Sequence, residues 1–287
     1  LSALLYSFKD ILAKSLFQHH EFNSTHAMVQ EFIAYFLLTA LLAFRVDFTI
    51  FGEMWVLFLL KAVSLGAFAY LYFGLLQRHE VSLVAPLMNL SPFFLLIFSF
   101  FILGEAATWI QIAGIALLIV ATYYLEVVIR HHEEDKAHKA HFWRIEKKDG
   151  PFFLTVLMML ILISFVAIFD KAILISTNWE TDLFFTAVIV LAVYVVWKKP
   201  THIITSFKLF GTHPKTIAFS LLNTLATVTI LMAIAIPATL VSLVVPLRRT
   251  STLFSAIFSG VLFHEKHMGK KIGSICVMLA GILLIVL

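Results

Sequence analysis

The sequence predicts an all-α membrane protein of ten transmembrane helices, arranged as two inverted five-helix repeats. Three observations predict it. Of 287 residues, 61% are hydrophobic, 13% are charged and 29 are phenylalanine, with a mean hydropathy of +0.97. A soluble core of this length could not cover so much apolar side chain. The apolar stretches recur at spanning length, and the charges concentrate in a few short loops between them. Finally, one stretch occurs twice: Val81 to Glu105 and Val241 to Glu265, set at an offset of 160, share 12 of 25 residues without a gap. Both copies open with a short polar step and a proline, continue through an apolar run and stop at a glutamate.

Leu1 to Phe17 reads as the end of a first span and carries Lys9, Asp10 and Lys14. Because the chain opens on Leu1 inside an apolar run, the front of that helix is expected to be missing. After a polar loop, spans follow near 27–46, 54–77, 82–104 and 107–128, each long enough for a hydrocarbon core that needs roughly twenty helical residues. Residues 1–129 therefore form the first repeat. Residues 130–150 break the composition with six basic and five acidic residues, several histidines among them, and read as a solvated linker. Residues 151–287 repeat the plan, with spans near 152–175, 182–197, 215–237, 240–263 and 269–287. The run at 182–197 is short enough to borrow flanking residues. Glycines inside spans, among them Gly66, Gly114, Gly273 and Gly281, let helix backbones approach closely. Cys276 is the sole cysteine, so no internal disulfide can form. An odd number of helices per repeat makes the second copy enter the membrane from the opposite side. Repeats of that kind build a central site at their interface that opens to alternate sides.

The fourth helix of each unit enters through SLVAPL at 82–87 or SLVVPL at 242–247 and leaves at a glutamate (Gly104-Glu105, His264-Glu265). An Ile112-Ala113-Gly114 or Ile272-Gly273 step follows. With a lysine late in the first helix of each unit, Lys14 and Lys171, this pattern resembles the EamA-type branch of the drug/metabolite transporter superfamily. The resemblance runs over essentially all ten helices. It implies secondary transport of a small organic solute through a central cavity, with no cofactor and no catalytic step. The chain departs from the pattern at the missing front of the first helix and at His264, which stands where the first copy has Gly104.

Lysine and arginine are divided unevenly between the two membrane faces, with Arg45 alone on the face that carries the 2–3 and 6–7 loops. The positive-inside rule then places both termini outside, whereas the resemblance implies termini inside. A charge at the bilayer centre costs several kcal/mol, so intramembrane ions need a partner or a wet cavity. Arg248, Arg249, Lys61, Asp170 and Lys171 are expected to cluster near one face, and Lys14, Glu31 and Asn89 near the other. An excess of fixed positive charge favours an anionic or zwitterionic metabolite of the amino-acid or organic-acid type, because the guanidinium fork suits a carboxylate. Asp10, Glu31 and Asp170 are candidates for proton coupling, with a counter-ion role as the alternative. Lys14 and Lys171 also read as helix-end lysines that snorkel. Pro86 and Pro246 each remove a backbone donor and are expected to let their helices bend.

The alternative is a divalent-cation carrier that collects metal on the histidine-rich linker, where His131, His132 and His138-x-x-His141 supply suitable ligands without a spacing that fixes a geometry. His264 and His267 are three residues apart, not the four of a zinc-hydrolase helix, so no metal site is assigned. The partners expected are a small-molecule solute and the lipid bilayer of the cell's inner membrane, with a homodimer left open and nucleic acid excluded. The net charge of +4 belongs to the loops.

Overall fold

The computed structural model describes all residues except 18–21, 80, 104–107, 134–149, 198–203, 209–213, 237–243, 246–247, 249–250, 264–267 and 287. The described elements are helical: α1 (Ser2–Phe17), α2 (Ser24–Leu41), α3 (Ile50–Arg78), α4 (Val81–Leu87), α5 (Ser91–Leu103), α6 (Trp109–Glu133), α7 (Gly150–Ser176), α8 (Trp179–Trp197), α9 (Pro214–Ile234), α10 (Ser251–Phe263) and α11 (Met268–Val286). Among the described residues there is no strand. Among the described residues, four stretches are long and apolar enough to cross a membrane, Ile50–Arg78, Pro151–Ser176, Trp179–Trp197 and Pro214–Ile234. Phe44, Phe101, Trp109 and Val196 are each more than three-quarters exposed on the outside of the bundle. Water would penalise that surface and lipid would not. The chain is a multi-pass membrane protein.

Each half needs the other to close its core. Helix α1 lies on α9 and α10, α2 on α8, α3 on α7 and α8, α4 on α10, α5 on α7, and α6 on α11. The main hydrophobic cluster accordingly mixes Phe32, Phe73 and Leu76 of the first half with Met159, Leu183 and Phe219 of the second. At the α6–α11 crossing two glycines face each other. A Cβ on Gly114 would sit 2.6 Å from the Gly281 carbonyl oxygen, and one on Gly281 would sit 2.8 Å from that of Gly114. Leu118, Met278, Ile282 and Ile285 then pack in the seam those glycines permit.

Several boundaries differ from the sequence reading for local reasons. The run at 82–104 is two helices, because a 3-10 turn at Met88–Leu90 separates α4 from α5 just beyond Pro86. Pro246 lies outside the described residues. Helix α2 starts three residues earlier than expected: Asn23 accepts the His26 N–H at 3.0 Å, and His26 Nδ1 accepts the Asn23 N–H in return. Helix α8 begins at Trp179 rather than 182. Asn178 Oδ1 caps it by accepting the Thr181 N–H at 2.9 Å, while Asn178 Nδ2 donates to the Arg45 carbonyl at 2.7 Å. Arg45 Nε then reaches Glu180 Oε1 at 2.8 Å, and the Asp47 N–H donates to Thr181 Oγ1. Asp47 itself, fully exposed in this loop, is held below the usual carboxylate range by the Thr49 hydroxyl and then by the Thr49 N–H. The loop after α2 is thus clasped to the first turn of α8. Asn178→Ala removes both a helix cap and the clasp, and is expected to lower stability by about 1–2 kcal/mol in detergent melting. A change of only a few tenths would mean that the Arg45–Glu180 pair alone holds the loop.

Candidate functional site

Where α1, α2, α3, α7, α9 and the segment before α10 converge, they enclose a cavity of about 110 Å³. Its charged lining is Lys9, Asp10, Glu31, Lys61, Asp170 and Arg248, three cations and three carboxylates. Tyr6, Tyr35, Asn223, Thr227, Ser251 and Thr252 add polar groups, and Leu65, Phe68, Phe73 and Val166 the apolar walls. This overturns the expected excess of positive charge as far as the described residues go. Lys61 is only 2% exposed and lies between two carboxylates: it donates to Asp182 Oδ1 and Oδ2 at 2.6 and 2.5 Å and forms an ion pair with Asp170 Oδ1 at 2.6 Å. Lys9 is paired with Asp10 at 3.0 Å, and its ammonium lies 5.0–5.4 Å from the ring centres of Tyr6, Tyr72 and Phe73.

Two charges in the cavity remain without an ion pair among the described residues. Arg248 stacks over the Tyr6 ring at 4.8 Å, with a long Nη1 contact to the Tyr6 hydroxyl at 3.5 Å. Glu31 accepts only from the Tyr35 hydroxyl, at 2.7 Å. Between them runs a line of hydroxyls: Tyr35 Oη meets Thr227 Oγ1 at 2.8 Å, Thr227 Oγ1 meets Tyr6 Oη at 2.9 Å, and Asn223 Nδ2 donates to Tyr35 Oη at 2.7 Å. Helix spacing sets the line. Glu31 and Tyr35 stand four apart on α2, as do Asn223 and Thr227 on α9, so each pair shares one face.

Three sequence-selected residues lie elsewhere. Lys14 donates to the Leu76 and His79 carbonyls at 3.0 and 2.7 Å, at the C-terminus of α3. Lys171 does the same for α9, reaching Ile234 and Ile236 at 3.2 and 3.5 Å. Each lysine therefore neutralises the carbonyl end of a helix instead of lining the cavity. Asn89, in the 3-10 turn, is fully buried and donates to Thr252 Oγ1 at 3.2 Å and towards Met278 Sδ, which fixes the contact between the two duplicated helices. Arg249 lies outside the described residues, as do most of the linker and His264. Lys61, Asp170 and Arg248 line this cavity together with Asp10 and Glu31, although Glu31 was expected near the opposite face. Asp182, Tyr6, Tyr35, Asn223 and Thr227 were not foreseen. The signal for Tyr35, Asn223 and Thr227 was a pair of polar residues four apart in an otherwise apolar helix, and Asp182 stood at the first residue of the span expected at 182–197.

Residues 1–126 match the EamA-like transporter family. A crystal structure of a protein 14% identical in sequence has the same fold, with a TM-score of 0.57 over 99% of this chain and 96% of the other. No curated protein matches the chain. Over residues 1–126, from α1 into α6, the chain thus resembles the EamA-like transporter family of the drug/metabolite transporter superfamily.

Proposed function

We propose that the protein is a secondary active transporter that moves a small zwitterionic metabolite of the amino-acid type across the cell's inner membrane by alternating access. Arg248 takes the carboxylate and Glu31 the ammonium. The observation that carries this reading is that these two groups of opposite sign face one cavity, each without an ion-pair partner among the described residues, while the other cavity charges pair with each other. A purely anionic solute would leave Glu31 desolvated and unmatched, which is unfavourable. Size agrees. At 10–15 Å³ per water, the cavity holds roughly eight waters, so a solute of about as many non-hydrogen atoms fits.

The proposed architecture is ten spans in two inverted repeats, residues 1–129 and 151–287, joined by the linker at 130–150. The two lysine caps support it. Lys14 ties the first helix to the end of the third, Lys171 ties α7 to the end of α9, and each stands at the corresponding place in its half. Asp10, Glu31 and Asp170 are the coupling candidates, and no catalytic step is assigned. The test is uptake into proteoliposomes with labelled amino acids, organic anions, phosphorylated metabolites and divalent metals, which also detects exchange that moves no net charge. Arg248→Gln is expected to reduce zwitterion uptake at least about tenfold, the scale of one lost charge-assisted contact. Metal uptake that ignores this substitution would overturn the reading in favour of a divalent-cation carrier.

A further inference from the structure

The hydroxyl line between Glu31 and Arg248 can be assigned a direction by counting hydrogens. Each hydroxyl owns one hydrogen, a guanidinium can only donate and an ionised carboxylate can only accept. With Glu31 ionised, Tyr35 gives its hydrogen to Glu31, so Thr227 must be the donor to Tyr35. The one Thr227 hydrogen is then used, so Tyr6 must donate to Thr227. The Tyr6 oxygen is left as the acceptor for Arg248 Nη1, the arrangement seen at 3.5 Å. Every hydrogen points towards Glu31.

A proton taken from cavity water onto Glu31 reverses this order. The carboxylic acid now donates to Tyr35, which has a second acceptor position because Asn223 occupies only one. Tyr35 turns its hydrogen to Thr227, and Thr227 turns its own to Tyr6. Tyr6 can no longer donate along the line, and Arg248 cannot accept, so the Tyr6 hydrogen swings into the cavity beside the guanidinium. No O–H bond breaks along the way: the hydroxyls rotate, and the added proton stays on Glu31 until it returns to water.

We propose that this line is a hydrogen-bond switch that couples protonation of Glu31 to anion binding at Arg248, so that proton and solute bind together. It rests on the reading of Arg248 as the anion pole. With Glu31 ionised, Tyr6 offers a solute carboxylate a lone pair; with Glu31 protonated, it offers a donor beside Arg248. The two sites favour each other by the same factor in both directions. The other charged and titratable groups that line the cavity with Glu31 are Tyr6, Lys9 and Asp10 on α1, Tyr35 on α2, Lys61 and Tyr72 on α3, Asp170 on α7 and Arg248 before α10, with Asp182 of α8 on Lys61. Lys9 and Lys61 are engaged with these carboxylates, and α9 contributes only the uncharged Asn223 and Thr227.

The probe is methanesulfonate, an anion that does not titrate in the working range, with binding to the full chain in detergent measured calorimetrically. In the unmodified protein its affinity is expected to tighten about tenfold as the pH is lowered far enough to protonate Glu31, within the usual span of site-to-site coupling. Thr227→Val breaks the line without touching either pole. It should bind methanesulfonate with the pH response lost, and Tyr35→Phe should behave alike. Glu31→Gln carries a permanent donor and should bind tightly at high and low pH alike. A pH response that survives in Thr227→Val and Tyr35→Phe would overturn the switch while leaving the anion pole standing. Absence of any Arg248-dependent binding would overturn the pole, and the switch with it.

Discussion

Lys61→Met should destabilise the protein by about 3–5 kcal/mol, the scale expected when one partner is removed from a buried ion cluster. Methionine has nearly the shape of lysine, so packing changes little and the loss is electrostatic. Asp182 is 0% exposed and accepts from the ammonium with both oxygens, and Asp170 forms a second ion pair with it at 2.6 Å. Without Lys61 two carboxylates face each other across α7 and α8 with no counter-ion among the described residues. Melting in detergent measures the loss. The triple substitution Lys61→Met, Asp170→Asn, Asp182→Asn should recover most of it, because it removes the charge along with its partner. If Lys61→Met alone stays within 1 kcal/mol, water reaches the cluster and the two carboxylates are solvated.

The second large effect is expected at the α6–α11 crossing. In Gly114→Leu the new Cβ would stand 2.6 Å from the Gly281 carbonyl oxygen and 3.0 Å from the Ile285 nitrogen. Both are backbone atoms, so no rotamer change relieves the clash and the helices must part. Overpacking of this kind costs about 1–3 kcal/mol when the site can shift. Here the seam of Leu118, Met278 and Ile282 would also open, so the upper end or beyond is expected. Loss of folded yield after detergent extraction is the first readout. Gly52→Ala is the control, since a Cβ there meets nothing within 4 Å. It should be neutral or stabilising by up to about 1 kcal/mol. An equal loss in both variants would mean that the close crossing is not its cause.

The fold was readable where composition and repetition speak. Apolar runs gave most helices to within a few residues, and the echo of Val81–Glu105 in Val241–Glu265 located the duplicated helix. What the sequence concealed was pairing. Lys61 and Asp182 are 121 positions apart, and nothing in either local pattern says that they meet. A count of intramembrane charges therefore overstated the positive excess in the cavity. Lys14 and Lys171 were right as a repeated feature and wrong as cavity residues, because a lysine near a helix end can turn to a neighbouring carbonyl terminus as readily as to a solute. The hydroxyls of Tyr6, Tyr35 and Thr227 were invisible for another reason: polar atoms in apolar helices acquire meaning only when helices from both halves bring them within hydrogen-bond reach.

The interleaved helices also dictate an order of events during synthesis. Helix α1 packs on α9 and α10, and at 5–20 residues per second about ten to forty seconds separate its emergence from theirs. Lys9 and Asp10 can wait in the bilayer because they are neighbours in the chain and neutralise each other at once, at 3.0 Å. Lys61 has no such neighbour. Until α7 and α8 arrive, its ammonium must reach for the membrane surface or hold α3 short of its final depth. The first half of the chain is thus an insertion intermediate in which the Lys61 charge stays unmatched until the second half delivers Asp170 and Asp182.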